Sequence, residues 1–348
     1  MLTSEFEYTL PEESIAQIPA PRGESRLLRL DGEGRPSHHR VADLPALLRP
    51  GDLLVVNDTK VIPARLEARR RQSGGRMELL LVEKLSATEW TALAKPGKRA
   101  RPGSGFDLDA KLGFQVLDKL HDGKVRVRFT EPIDPQLDRL GHVPLPPYIR
   151  RGDRPADRTD YQTVFATRPG AIAAPTAGLH FTEALLQEIG DAGIRLAAIT
   201  LHVGIGTFKP VTATRVEDHR MDVERFEIPP ETATAIAATR AGGGRIVAVG
   251  TTVVRTLESV ATQDGRIEPT TGETNLYIRP GYRFRAVDLV LTNFHLPRST
   301  LLMLVCAFAG RQQVLAAYRE AINSGYRFYS YGDCMLAAKA GTTPASTG

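Results

Sequence analysis

The chain has 348 residues with an ordinary globular composition, and its length favours two domains over a single hydrophobic core. A formal charge of +5 permits a polyanionic partner without demanding one. The acidic opening MLTSEFEYTLPEES lacks a secretory signal, and the longest strongly apolar run, Leu301 to Ala309, is too short to span a bilayer. The two cysteines, Cys306 and Cys334, have no CxxC spacing and read as reduced thiols, so a cytoplasmic protein with no membrane contact is expected.

Residues 1–50 mix a short helical pattern, Pro11 to Gln17, with loops rich in proline and glycine. The segment GDLLVVNDTKVIPARL (51–66) predicts a strand that ends in Asn57, Asp58, Thr59 and Lys60. From about Ala64 to Leu140 the texture changes to short β-rich runs, RMELLLVE, EWTALAKP, GFQVL and KVRVRF, separated by glycine and proline breaks. This predicts a small all-β barrel or sandwich, residues 64–140, inserted into a larger α/β domain formed by 1–63 and 141–348. The proline-rich GHVPLPPYIRRGDRP (141–155) should return the chain to the larger domain.

Thereafter strands, loops and helices alternate. A helix TEALLQEI is expected with Thr182 as its N-cap. AITLHVGIGTF, RIVAVGTTVVRTLES and DLVLTNFHLPRSTLLML each pass from an apolar run into a loop carrying Gly, Thr, Asn or His, and a helix follows in the last two. The larger sheet should therefore be mostly parallel or mixed, with ligands bound beyond the carboxyl ends of its strands. RQQVLAAYREAI reads as a final helix, and the tail AGTTPASTG as disordered.

Histidines at 180, 202, 219 and 295 supply candidate acids and bases, but no two have the local spacing of a metal site, so no metal is expected. For each histidine alone, bonding a loop carbonyl is as good a reading as catalysis. Thr251 and Thr252 suit a carboxylate or phosphate at a helix start, though capping is their simpler role. HVGIGTF lacks both the dinucleotide and the P-loop pattern, so neither NAD nor ATP is indicated. Asp58 and Asp333 read first as turn formers and second as groups that orient a base. Arg69 to Arg71, the group Lys95, Lys98, Arg99 and Arg101, and the group Arg150, Arg151 and Arg154 read first as solvated faces.

Taken together and in order, SRLL (25–28), GDLLVVNDTKVIPARL, GHVPLPPYI, YQTVFA, GAIAAPTAGLHFTEALL, TLHVGIGTFKPV, VGTTVVRTLES, TNFHLPRSTLLMLVCAFAG and YRFYSYGDCM resemble the S-adenosylmethionine:tRNA ribosyltransferase-isomerase family of queuosine biosynthesis. The resemblance implies transfer of the ribosyl moiety of S-adenosylmethionine to 7-aminomethyl-7-deazaguanine at the tRNA wobble position. The ribose is rearranged to give epoxyqueuosine, and adenine and methionine are released. S-Adenosylmethionine is then a consumed cosubstrate, and no further cofactor is implied.

A proton next to the sulfonium must be removed, and adenine must leave protonated; His180, His202 and His295 are the candidates for these steps, with Asp58 or Asp333 accepting the amine's proton. Substrate contacts are expected from Thr59, Thr176, Gly178, Gly204, Gly206, Thr207, Thr251, Thr252, Arg255 and Asn293. Contacts to tRNA are expected from Lys95, Lys98, Arg99, Arg101, Arg150 and Arg151, in a protein acting as a monomer. Two positions depart from the family pattern: Met221-Asp222-Val223-Glu224 stands where a His-Ser pair follows the methionine, and Cys334 stands where alanine is usual.

Two other readings compete with this one. One is a metal-independent hydrolase or lyase acting on a nucleoside or an S-adenosylmethionine derivative, which has no use for the basic N-terminal half. The other is a non-catalytic tRNA-binding module, which has no use for polar loops gathered at strand ends.

Overall fold

The computed structural model describes residues 1–120, 123–204, 206 and 211–342. Among these, nine strands form one mixed sheet. Their spatial order is Thr270–Thr274, Glu224–Ile228, Arg195–Leu201, Leu53–Asn57, Ile246–Val249, Leu289–Asn293, Cys334–Ala338, Arg26–Leu30 and Pro36–Arg40. The four strands from Arg195–Leu201 to Leu289–Asn293 are mutually parallel, so their carboxyl ends share one edge. Cys334–Ala338 runs antiparallel to Leu289–Asn293, with Cys334 opposite Asn293, which returns Asp333 to that same edge.

The central strands are buried on both faces, LLVVN and LVLTN being closed to solvent throughout, which is why they read as continuous apolar runs rather than alternating ones. One face packs against the helices Pro230–Ala241, Thr251–Val260, Thr300–Ala309 and Arg311–Asn323, the other against Glu183–Asp191. Thr182 caps the last of these as expected, its hydroxyl accepting from the Leu185 amide at 3.0 Å. No single helix among the described residues is long and apolar enough to cross a membrane.

Six antiparallel strands, Arg65–Arg70, Arg76–Lys84, Glu89–Lys95, Val125–Phe129, Gly113–Lys119 and Gly105–Asp107, close into a barrel by pairing of the first with the last. Alternation along RMELLLVEK puts Met77, Leu79 and Leu81 inside, where Phe106 stacks on Phe114 at 5.2 Å.

Several elements differ from the sequence reading. The Pro11–Gln17 pattern forms only a single 3-10 turn, Glu12–Ser14, after which Ser14 and Ala16 pair with the backbone of Phe328. The helix Pro230–Ala241 and the strands Arg26–Leu30, Pro36–Arg40, Glu224–Ile228 and Cys334–Ala338 were not foreseen. Residues 343–348 of the tail lie outside the described residues.

Candidate active site

Asn57 ties the strand ends together. Its Nδ2 donates to the Leu201 carbonyl at 2.9 Å and to Thr252 Oγ1 at 3.4 Å, while its Oδ1 accepts from the amides of Leu201 and Thr59. Three loops are thereby held in register by one buried amide. Its neighbour Asp58 accepts from the hydroxyls of Thr200 at 2.6 Å and Thr167 at 3.0 Å, which braces the same edge.

Two cavities open along this edge and meet at Val203. The smaller is lined by Thr176, Gly250, Thr251, Thr252, Asn293, His295, Tyr148 and Tyr329 and contains no carboxylate, lysine or arginine. Gly250 has φ 94°, a conformation a side chain would resist, and no side chain caps the helix that Thr251 begins. The capping role that the sequence suggests for the two threonines is therefore not what they perform. The larger cavity is a cleft of about 960 Å³ between this edge and the barrel. It is lined by His202, Gly204, Glu224, Arg225 and Lys60 from the sheet side and by Glu83, Lys84, Trp90 and Asp134 from the barrel side.

The three candidate histidines occupy different positions. His202 is half-buried in the cleft wall, its Nδ1 hydrogen-bonded to Thr59 Oγ1 at 2.8 Å. Its ring also packs on Gly170, where an added Cβ would come within 2.8 Å of it. Burial is the main cause that holds its pKa below 6.5, with Asp58 opposing, so it is neutral at pH 7. His295 lines the small cavity, bonded through Nε2 to Thr292 Oγ1 at 2.8 Å, and burial lowers its pKa to about 3. His180 lies behind the cavity wall and accepts from Asn293 Nδ2 at 3.2 Å.

Several of the residues expected at the site also hold the scaffold together. The carboxylate of Asp333 accepts from the backbone amides of Arg26 at 2.9 Å and Arg327 at 2.8 Å, which fixes the loop and leaves its oxygens turned to the backbone. Gly178 permits close packing, since a Cβ there would meet Phe165 and Thr163 at 2.7 Å. Arg255 is buried in an ion pair with Glu224, whose other oxygen accepts from the Gly204 amide at 3.1 Å. A Cβ on Gly206 would collide with Asp222, and Thr207 lies outside the described residues. Asp222 and Val223 are exposed at the cleft rim, a poor environment for a desolvated base. Cys334 is buried in the sheet, where burial raises its thiol pKa well above 9. Among the described residues no group of three or more His, Cys, Asp or Glu could hold a metal ion.

The sequence reading missed Asn57, Tyr148, Trp90 and Tyr329. The signal for Tyr329 was present in the Tyr-rich YRFYSY, but nothing local shows that Tyr148 stacks on it at 4.5 Å from 181 residues away in the chain.

The family described as queuosine biosynthesis protein matches this chain over residues 3–337. The chain belongs to that family. The chain is 52% identical over 339 residues to the S-adenosylmethionine:tRNA ribosyltransferase-isomerase of Gloeobacter violaceus, covering 96% of this chain and 95% of the relative. The enzyme of the same name from Anaeromyxobacter dehalogenans (strain 2CP-C) is 54% identical over 344 residues, covering 97% and 99%. The crystal structure of S-adenosylmethionine tRNA ribosyltransferase from Thermotoga maritima aligns over 96% of this chain and 100% of its own, with 39% identity and a TM-score of 0.55.

The basic residues divide into two kinds. Lys95, Lys98, Arg99 and Arg101 are exposed at one end of the barrel and have no ion pair among the described residues. Arg69 stands directly opposite Arg76 at that end, an unfavourable like-charge pair unless an anion covers it. Lys84, at the other end of the nine-residue strand from Arg76, lines the cleft, so the two lie roughly 27 Å apart along the barrel. Arg151 is different: its guanidinium bonds both oxygens of Asp157, at 2.6 and 2.8 Å, and Tyr331 donates to the same carboxylate at 2.8 Å. It anchors the linker. Arg150 is exposed but paired with Glu12.

Burial, with a smaller contribution from Arg327, lowers the pKa of His180 to about 4. The unfolded ring takes up a proton near pH 6.5 and the folded ring stays neutral, so stability is unaffected above that pH and is lost as pH falls from 6.5 to 4, by about 3 kcal/mol. Thermal melts at pH 7 and pH 5 should therefore show a smaller acid-induced loss in His180→Gln than in the wild type. Equal losses would contradict this assignment.

Proposed function

We propose that this chain transfers and isomerises the ribosyl moiety of S-adenosylmethionine onto 7-aminomethyl-7-deazaguanine at the tRNA wobble position, giving epoxyqueuosine and releasing adenine and methionine. The observation that carries this reading is the paired site at the carboxyl edge of the sheet: an uncharged cavity joined to a charged cleft large enough for a nucleobase. S-Adenosylmethionine would lie across the junction at Val203, its sulfonium toward the carboxylates of the cleft. The wobble base would enter between Trp90 and the sheet edge.

The chemistry asks for a neutral base beside the sulfonium carbon, and His202 has the position and the protonation state for it. Thr59 fixes the ring through Nδ1 and leaves Nε2 to act. His295 and His180 support the cavity wall around Asn293. The exposed cations at the far end of the barrel suit a polyanion long enough to reach from there to the cleft, which a transfer RNA is and a free nucleoside is not. That length also disfavours the hydrolase reading, while the uncharged cavity disfavours a non-catalytic RNA module. The test is product formation: an anticodon stem-loop bearing the aminomethyl base should gain the rearranged ribosyl unit when incubated with the protein and S-adenosylmethionine.

A further inference from the structure

Two residues that line the small cavity each carry a buried polar atom with no hydrogen-bond partner: Oδ1 of Asn293 and the hydroxyl of Tyr329. The residues are only 2% and 4% exposed. Native proteins keep few such atoms, and a cluster of them beside a cavity points to a ligand that satisfies them.

Both groups are held rigidly. Asn293 Nδ2 donates to the Tyr329 carbonyl at 3.0 Å and to His180, which leaves Oδ1 as the free acceptor. Tyr329 adopts φ 71°, a left-handed conformation that tyrosine avoids, and strain of this kind persists where surrounding contacts over-determine it. Those contacts include the Phe294 carbonyl, which accepts from the Tyr329 amide at 3.2 Å, and the stacked ring of Tyr148, whose hydroxyl bonds Ser330 Oγ.

The cavity's shape and charge narrow the ligand class. Its volume of about 60 Å³ corresponds to roughly four to six water positions, enough for a planar heterocycle but not for a whole nucleoside with its side chain. No ionised group lines it, so a neutral ring is preferred over an anion or a cation.

We propose that this cavity is a subsite for a neutral aminopurine, the adenine end of S-adenosylmethionine. Asn293 Oδ1 accepts from the exocyclic amine, and the Tyr329 hydroxyl donates to a ring nitrogen. The identity of the ligand rests on the ribosyl-transfer reading, whereas the donor and acceptor pattern is independent of it. Tyr329 is thus a specificity residue that the sequence alone did not single out.

The test uses calorimetric binding of S-adenosylhomocysteine and S-inosylhomocysteine to the full-length protein. The second compound presents a carbonyl where the first has its amine. The wild type should bind the adenosyl compound at least about tenfold more tightly, because the inosyl carbonyl would face Asn293 Oδ1. Tyr329→Phe should weaken adenosyl binding about tenfold without lowering the melting temperature, since the hydroxyl it removes has no partner in the free protein. Equal affinity for the two compounds, binding of neither, or wild-type affinity in a folded Tyr329→Phe would each overturn the proposal. The comparison of compounds needs no variant, so it decides the matter even if Tyr329→Phe fails to fold. Discrimination without any RNA product would leave the subsite standing and remove the ribosyl-transfer reading, while RNA product without discrimination would remove only the subsite.

Discussion

Replacing His202 by alanine is expected to lower turnover by about 10² to 10⁴-fold while changing the KM for S-adenosylmethionine only a few-fold, the range for losing a positioned general base. The expectation follows from location. Of the three candidate histidines, only His202 reaches the cleft, and Thr59 and Gly170 hold its ring in place. Its pKa lies below 6.5, so the base form predominates at neutral pH and is lost as the pH falls through that lowered value. The acid limb of the wild-type kcat/KM profile should therefore fall below pH 6.5, and His202→Ala should lose this limb along with its activity. A variant with near wild-type turnover and an unchanged profile would move the base elsewhere.

The second large effect concerns stability. Arg255→Met is expected to destabilise the protein by about 3 to 5 kcal/mol, because it removes the buried guanidinium that pairs with the carboxylate of Glu224. Urea unfolding of the double variant Arg255→Met with Glu224→Gln should recover at least half of that loss. Glutamine keeps an acceptor for the Gly204 amide and carries no charge to strand. The pair fastens the Thr251–Val260 helix to the cleft lip, so the single variant should also loosen the turn that carries His202. A cost below about 1 kcal/mol for Arg255→Met would mean that Glu224 finds its compensation in other contacts.

The edge that carries the site was legible because its physics is local. An apolar run that stops at Asn57, Leu201, Val249 or Asn293 and gives way to polar residues marks a strand end, and four such ends lie side by side when the strands are parallel. The barrel was legible through its alternating runs. The helix Pro230–Ala241 was not, since its buried face is made of Thr232, Ala233, Ile236 and Thr239, which give no apolar stripe. CMLAA was too short to separate from a helical fragment.

Side-chain duties were the least legible. Arg151 and Asp157 are six residues apart and look like solvent charges until the fold turns one onto the other. Asp333 has the sequence context of a catalytic carboxylate, yet backbone amides claim it. Asn57 reads only as part of the polar cluster that ends its strand, and its role in joining three strand ends depends on partners 144 and 195 residues away.

The most direct test of the ribosyl-transfer assignment is the mass of an anticodon stem-loop bearing 7-aminomethyl-7-deazaguanine after incubation with the protein and S-adenosylmethionine. A gain equal to the rearranged ribosyl unit, with adenine and methionine appearing in step, is the predicted result. Release of adenine with the RNA unchanged, or tight RNA binding with no release at all, would contradict it.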